Sequence, residues 1–201
     1  MKQNKKLTMI NLGIFGLFLI IAVCVCLGVT QSLDEALLAF IPRTEWMTTV
    51  MKGITFLGEG LTMTLLGVLV ILFIKDKRRG VSLLGGLALV AGLNSGLKLI
   101  IRRPRPLMEH LIAESGFSFP SGHSASSMAF YGYLIYLVYT KCQNKTLKYS
   151  LIIFLVLIIL GIGISRMYLG VHYPSDVLGG FTFGLSMIFI YIRFTDWIWS
   201  K

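Results

Sequence analysis

Six stretches of this chain stay apolar over a length that matches the hydrocarbon core of a bilayer, which takes about 20 residues of helix to cross. They run roughly over 7–29, 54–74, 81–101, 125–139 (extendable back toward Ser121), 149–164 and 177–192. Backbone inside lipid must satisfy its own N–H and C=O groups within the segment, so these stretches read as helices. None shows the period-two alternation of a barrel strand. Composition agrees: 55% of the 201 residues are hydrophobic and 14% are charged, against about 25% charged in a soluble domain. An ordinary water-soluble globule is excluded, and so is disorder, which needs low hydrophobicity and high charge. The expected fold is all-α: a single integral-membrane domain over 1–201, polytopic, with six transmembrane helices.

Lys2, Lys5 and Lys6 precede the first stretch, as in a signal peptide, but its apolar run is too long for one and no small-x-small cleavage site follows. Val23 also fits poorly before a lipoprotein cysteine at Cys24, so the first stretch is expected to be a retained helix. Between the first two stretches, Leu33, Leu37, Leu38, Phe40 and Ile41 recur near helical spacing, with Asp34, Glu35 and Glu45 between them. This pattern predicts an interfacial amphipathic helix within 31–53. Cys24, Cys26 and Cys142 form no CxxC pair, and they read as small apolar fillers.

The net charge of +10 would suggest nucleic acid in a soluble protein, but here the cations sit between apolar runs and report topology. Twelve of the 19 Lys and Arg residues share a side with the N-terminus: Lys2, Lys5 and Lys6, the 75–79 loop, the 141–148 loop, Arg193 and Lys201. The other seven are Arg43, Lys52, Lys98, Arg102, Arg103, Arg105 and Arg166. The richer side is expected to be cytoplasmic, with both termini inside the cell membrane and the second set of loops outside.

Chemistry concentrates in two of those outer loops. Lys98, Arg102, Arg103 and Arg105 crowd the end of the third stretch. Such a cluster serves either as an anion site, for which the planar guanidinium is well shaped, or as cations snorkelling to headgroups. A positive-inside bias disfavours it on this face and so favours the anion site. Pro120-Ser121-Gly122-His123 opens the fourth stretch. A helix N-terminus offers free N–H groups and the positive end of the dipole, Gly122 lets backbone approach a ligand, and Ser121 can cap. His172 and Asp176 stand four apart around Pro174, which favours a helix start, so the pair can meet across the first turn. A carboxylate on one ring nitrogen fixes the tautomer and leaves the other as nucleophile or base. Arg166 lies just before them.

These residues resemble the three-part signature of the type 2 phosphatidic acid phosphatase superfamily. Lys98 through Arg105-Pro106 fits KxxxxxxRP, Pro120–His123 fits PSGH, and Ser165-Arg166 through His172 to Asp176 fits SRxxxxxHxxxD. All three match in order and spacing, and the small bacterial six-span members are the most similar. The resemblance implies a metal-independent membrane lipid phosphatase that needs no cofactor. His172 would attack phosphorus to give a phosphohistidine, Asp176 would orient it, and His123 would act as general acid. Lys98, Arg105, Ser121, Gly122 and Arg166 would hold the phosphate. Arg102, Arg103, Glu109, His110 and Glu114 lie outside the signature and carry no catalytic assignment.

The implied substrate is a lipid phosphate, because the signature sits at headgroup level. Short loops favour phosphatidylglycerophosphate or phosphatidic acid over the alternative, undecaprenyl diphosphate. Membrane lipids are the other expected contacts, with no nucleic acid and no obligate protein partner. A non-catalytic lipid-binding membrane protein or transporter is the second alternative. It would need polar groups through the span interiors, where Glu59 and Asn94 are the main ones. The six apolar stretches also argue against the related soluble haloperoxidases.

Overall fold

The computed structural model describes residues 2–199, and every regular element among them is an α-helix. In chain order these are α1 (Lys2–Cys26), α2 (Gln31–Ala39), α3 (Glu45–Phe56), α4 (Gly60–Phe73), α5 (Lys77–Ile101), α6 (Gly122–Lys141), α7 (Lys145–Tyr168) and α8 (Pro174–Trp199). Of the cations counted for topology, Lys201 lies outside the described residues and Lys2 outside the described side chains.

The helices turn apolar side chains outward. Leu12, Ile20 and Val23 of α1, Leu72 and Phe73 of α4, and Phe154 and Leu157 of α7 are all exposed. Rows of exposed Leu, Ile and Phe on several helices would be an aggregation liability in water, and in lipid they are the expected exterior. Helices α1 (from Lys5), α5, α7 and α8 are long and apolar enough to cross a membrane, and α3 with α4 adds a fifth crossing if the bent pair counts as one.

The core lies around α6, which packs against α4, α5, α7 and α8, while α1 lies along α8 and α3 along α7. Small residues set the α6–α8 spacing: a Cβ on Gly180 would come 2.6 Å from the Ser121 carbonyl oxygen and 2.8 Å from Ser124 Cβ. Helices in lipid gain from such close approach, since burial of apolar surface gives little between them. Phe119, Phe130, Tyr133, Leu83, Val90 and Ile162 belong to one buried apolar core that runs along these helices. At the end of the bundle where α5 begins and α8 finishes, Arg79 pairs with Asp196, and Tyr136 donates to the same carboxylate at 2.9 Å.

Three expectations need correcting. The stretch expected to run unbroken over 54–74 breaks at Leu57–Glu59, where α3 and α4 meet at a 52° bend. The break holds because Tyr131 donates to the Leu57 carbonyl at 2.8 Å, and because Gly58 admits Ile162 to 2.7 Å of where a Cβ would stand. Helix α4 alone, at 14 residues, covers only about 21 Å. Glu59 therefore sits at the start of a helix and not inside a continuous span. The connection expected to hold one amphipathic helix contains two, α2 and α3. Among the cysteines, all free, Cys26 is exposed on α1 and fills no core position.

Gly180→Ala is expected to lower stability by about 1–3 kcal/mol, the usual range for forced overpacking, because the atoms it meets belong largely to rigid backbone. Thermal unfolding in detergent measures this, and an unchanged midpoint would show the α6–α8 contact to be slack.

Candidate active site

Helix directions alternate from α5 to α8, so the ends of α5 and α7 and the starts of α6 and α8 gather at one end of the bundle. The long 102–121 loop and the short α7–α8 turn lock together there. Ser121 N–H donates to the Asp176 carbonyl at 3.0 Å, Leu111 N–H to the Leu169 carbonyl at 3.0 Å, and Ser118 N–H to the Arg103 carbonyl at 2.8 Å. Gly170 makes the turn after α7 with φ +79, and a Cβ there would meet the Glu109 carbonyl oxygen at 2.6 Å. This turn sends the chain back so that His172 reaches the interior.

His172 is 2% exposed and Asp176 is fully buried. His172 Nδ1 lies 3.4 Å from Asp176 Oδ2 and 3.3 Å from Ser118 Oγ, and the Ser118 hydroxyl donates to that same carboxylate oxygen. The Tyr173 N–H adds a bond to it at 2.9 Å, and Arg103 takes the other oxygen at 2.7 Å. With its acceptors on the Nδ1 side, the ring carries its proton there and leaves Nε2 bare. Nε2 lies 3.4 Å from an Arg105 guanidinium nitrogen.

That nitrogen borders a cavity of about 370 Å³ lined by Lys98, Arg105, Gly122, His123 and His172, together with Ser95, Leu99, Glu114, Ser115, Gly116 and Phe117. Lys98 donates to the Phe117 and Ser118 carbonyls, and Arg105 to those of Val171, Ser115 and Gly116. Arg166, fully buried, donates to Thr55 Oγ1 at 2.8 Å and pairs with Glu114. Its Nε finds no acceptor among the described residues. Arg166 faces a second cavity of about 660 Å³, which shares Glu114, Ser115 and His123 with the first.

The structure thus brings Lys98, Arg105, Gly122, His123 and His172 around one space, with Asp176 behind His172 and Arg166 beside His123. Ser121 does not line the cavity; it is buried, and its oxygen caps α6 by accepting from Ser124 N–H at 3.4 Å and Ser124 Oγ at 2.9 Å. The four-cation cluster read from the sequence divides. Lys98 and Arg105 face the cavity, Arg102 is exposed in a left-handed conformation ending α5, and Arg103 turns away to reach Asp34 and Asp176. The sequence reading assigned Ser118, Asp34 and Glu114 no part in this cluster of residues, and it placed Arg103 only among the cations of the expected anion site, not behind Asp176. The Glu114 carboxylate lies 3.3 Å from Arg105, 4.0 Å from His123 Nδ1 and in contact with Arg166.

Burial acts against a charged His172, and the nearby Lys98 and Arg166 cations add to this. Together they outweigh Asp176 and pull the imidazole down to about 3. Burial also works against the Arg105 charge and lowers it, with Glu114 and Asp176 opposing. At Arg103 burial is outweighed, and Asp176 and Asp34 hold the guanidinium above its usual range. The arrangement can hold a tetrahedral anion among cations and a helix N-terminus, with a neutral imidazole nitrogen facing it.

A helical membrane bundle with a cationic, histidine-bearing cavity at one end defines an anion-handling membrane protein of the phosphatase type. Residues 79–200 match the PAP2 superfamily, and the chain belongs to it. It is 37% identical over 191 residues to phosphatidylglycerophosphatase B of Bacillus subtilis strain 168, spanning 92% of this chain and 94% of that protein. It is 30% identical over 132 residues to undecaprenyl-diphosphatase BcrC of the same organism, spanning 62% and 63%. Among solved structures, the transmembrane PAP2-type phosphatidylglycerolphosphate phosphatase of Bacillus subtilis superposes with a TM-score of 0.86 at 35% identity, covering 94% of this chain and 96% of that one.

A buried neutral imidazole must take up its proton on unfolding, so its contribution to stability is present above pH 6.5, the unfolded value, and is lost as pH falls toward about 3. His172→Gln is therefore expected to flatten the loss of thermal stability between pH 6.5 and pH 4. Nitrogen-15 spectra of the wild-type protein should show His172 still neutral at pH 5; a protonated ring at that pH overturns the assignment.

Proposed function

We propose that the chain hydrolyses a lipid phosphate through a phosphohistidine at the extracytoplasmic end of the bundle. One observation carries the mechanism: His172 has Nδ1 against a buried carboxylate, Nε2 beside Arg105, and a place in the lining of a cavity that Lys98 and Arg105 also line. His172 Nε2 attacks phosphorus, and the bond from phosphorus to the lipid oxygen breaks as His123 gives that oxygen a proton. Asp176 stabilises the charge that the ring acquires. A water, giving its proton to His123, then attacks the phosphohistidine and releases inorganic phosphate and neutral His172. Lys98, Arg105, Arg166 and the backbone N–H groups from Gly122 onward hold the phosphoryl oxygens, and Ser121 supports them by capping the helix. The incoming phosphate takes over the guanidinium groups that Glu114 now holds.

The preferred substrate is phosphatidylglycerophosphate or phosphatidic acid, which agrees with the full-length similarity to phosphatidylglycerophosphatase B. Undecaprenyl diphosphate is the second reading, favoured by the similarity to BcrC over part of the chain. The cavity's cationic lining suits an anion and repels a divalent metal ion, so no cofactor enters the mechanism.

We read the bundle as six crossings, a reading that the connectivity supports. Helix α6, about 30 Å long, must traverse the layer to join α5 to α7, and α3–α4 serves as a bent second crossing with α2 at the interface. Exposed Phe40 and Trp46 near the site, and Tyr139, Tyr149, Trp197 and Trp199 at the far end, suit the two aromatic belts of a spanning protein. The lysine-rich far end is cytoplasmic, along with both termini.

A turnover panel of phosphatidylglycerophosphate, phosphatidic acid and undecaprenyl diphosphate in detergent tests the assignment. Release of phosphate from the first two is expected to dominate, to persist in excess EDTA, and to vanish in His172→Ala. Retained activity in that variant would exclude His172 as nucleophile. Loss in EDTA restored by Mg²⁺ would contradict the metal-free mechanism. Saturating vanadate is expected to inhibit and to raise the melting temperature.

A further inference from the structure

Behind His172, on the side away from the cavity, three charged side chains from distant parts of the chain are buried together. Arg103 is 7% exposed, Asp34 of α2 is 3% and Asp176 is fully buried. Arg103 lies between the two carboxylates. One guanidinium nitrogen donates to Asp176 Oδ1 and to Ser175 Oγ, both at 2.7 Å, and the other donates to Asp34 Oδ2 at 2.7 Å and to Gln31 Oε1 at 3.3 Å. The Tyr173 ring covers the guanidinium, its centroid 4.1 Å away. Asp34 in turn accepts from the Ser175 N–H at 2.9 Å and from the Ser175 hydroxyl, and so caps the start of α8 from another helix. Neither Arg103 nor Asp34 lines the cavity.

We propose that Arg103, anchored by Asp34, is a positioning residue for the Asp176–His172 pair, and that α2 is part of the catalytic support. The proposal rests on the lipid-phosphatase reading above. Its physics is a division of labour on one carboxylate. Arg103 occupies Oδ1 and fixes the plane of the Asp176 carboxylate, so that Oδ2 points at His172 Nδ1 and Ser118. A buried carboxylate with one bidentate-capable cation behind it is held in orientation far more firmly than one turned by a single hydroxyl. Asp34 fixes Arg103 the same way, and its hold on Ser175 locks the turn from which Asp176 projects. The orientation of His172 thus depends on a residue 138 positions earlier in the chain.

The inference concerns kcat and not binding, because these groups never touch the phosphate. Arg103→Lys keeps the charge but cannot bridge both carboxylates, and Asp34→Asn keeps the shape but releases the anchor. Both are expected to fold, to bind vanadate within about threefold of wild type, and to keep KM within about threefold. Their kcat on phosphatidic acid is expected to fall on the order of tenfold, and that of Arg103→Met about a hundredfold, the scale of a small misplacement far from the chemistry. Arg102→Gln, the exposed neighbour, serves as the control with unchanged kcat. Should Arg103→Met fail to fold, the two milder variants decide. A kcat within twofold of wild type in both, or a loss of vanadate binding that parallels the loss of kcat, overturns the proposal. A wild-type protein inert on every lipid phosphate overturns the functional reading itself, whereas an active wild type with unaffected variants overturns only the role given to Arg103 and Asp34.

Discussion

A single carboxylate, that of Asp176, sits without water exposure at the centre of the site, and the surrounding architecture exists in large part to make that burial tolerable. An unpaired carboxylate in such a place would cost several kcal/mol. Asp176 instead receives Arg103, the Ser118 hydroxyl and the Tyr173 N–H, and stands beside His172. Those partners come from the 102–121 loop and from the α7–α8 turn, and through Arg103 the network extends to α2. Satisfying one charge has therefore drawn four separate segments into fixed relation. The same contacts fix the ring whose other nitrogen faces the cavity.

The cavity itself shows the complementary use of charge. Lys98 and Arg105 at this cavity, and Arg166 at the one beside it, are held by loop carbonyls, by Thr55 and by Glu114, which offset the cost of gathering their charges. In the proposed reaction an entering anion would exchange those partners for its own oxygens. Arg166 Nε, buried and unmatched among the described residues, is one donor such an exchange would satisfy. The site is thus a preorganised set of donors in a low-dielectric end of a bundle, the arrangement in which electrostatic stabilisation of a phosphoryl group is most effective. Alternation of helix direction makes this inexpensive to build: two helix starts and two helix ends meet there without any extra domain.

Much of this was legible in the linear chain. Lipid requires long apolar helices, and that requirement leaves a clear mark in α1, α5, α7 and α8, so the all-helical membrane class could be read directly. Lys98, Arg105, Gly122, His123, Arg166, His172 and Asp176 stood out because each lies within a few residues of a helix end and beside others of its chemistry. The break at Leu57–Glu59 was marked in the chain only by Gly58-Glu59-Gly60 inside an otherwise largely apolar stretch, and the bend itself is held by Tyr131 and by Ile162 against Gly58. The division of the cation cluster was equally hidden. Arg102 and Arg103 are adjacent and chemically identical, and only the fold sends one to solvent and the other to two buried carboxylates.

Local requirements written into each segment, namely apolar length, helix caps and the spacing of His172 from Asp176, determined the all-helical membrane class and pointed to the residues that the fold gathers at one end of the bundle. Partnerships across long loops were settled elsewhere. Asp34 with Arg103, Ser118 with His172 and Glu114 with Arg166 are separated by 69, 54 and 52 positions. No periodicity connects residues so far apart. Their meeting follows from how the helices and the 102–121 loop pack, which sets polar groups far apart in the chain against one another.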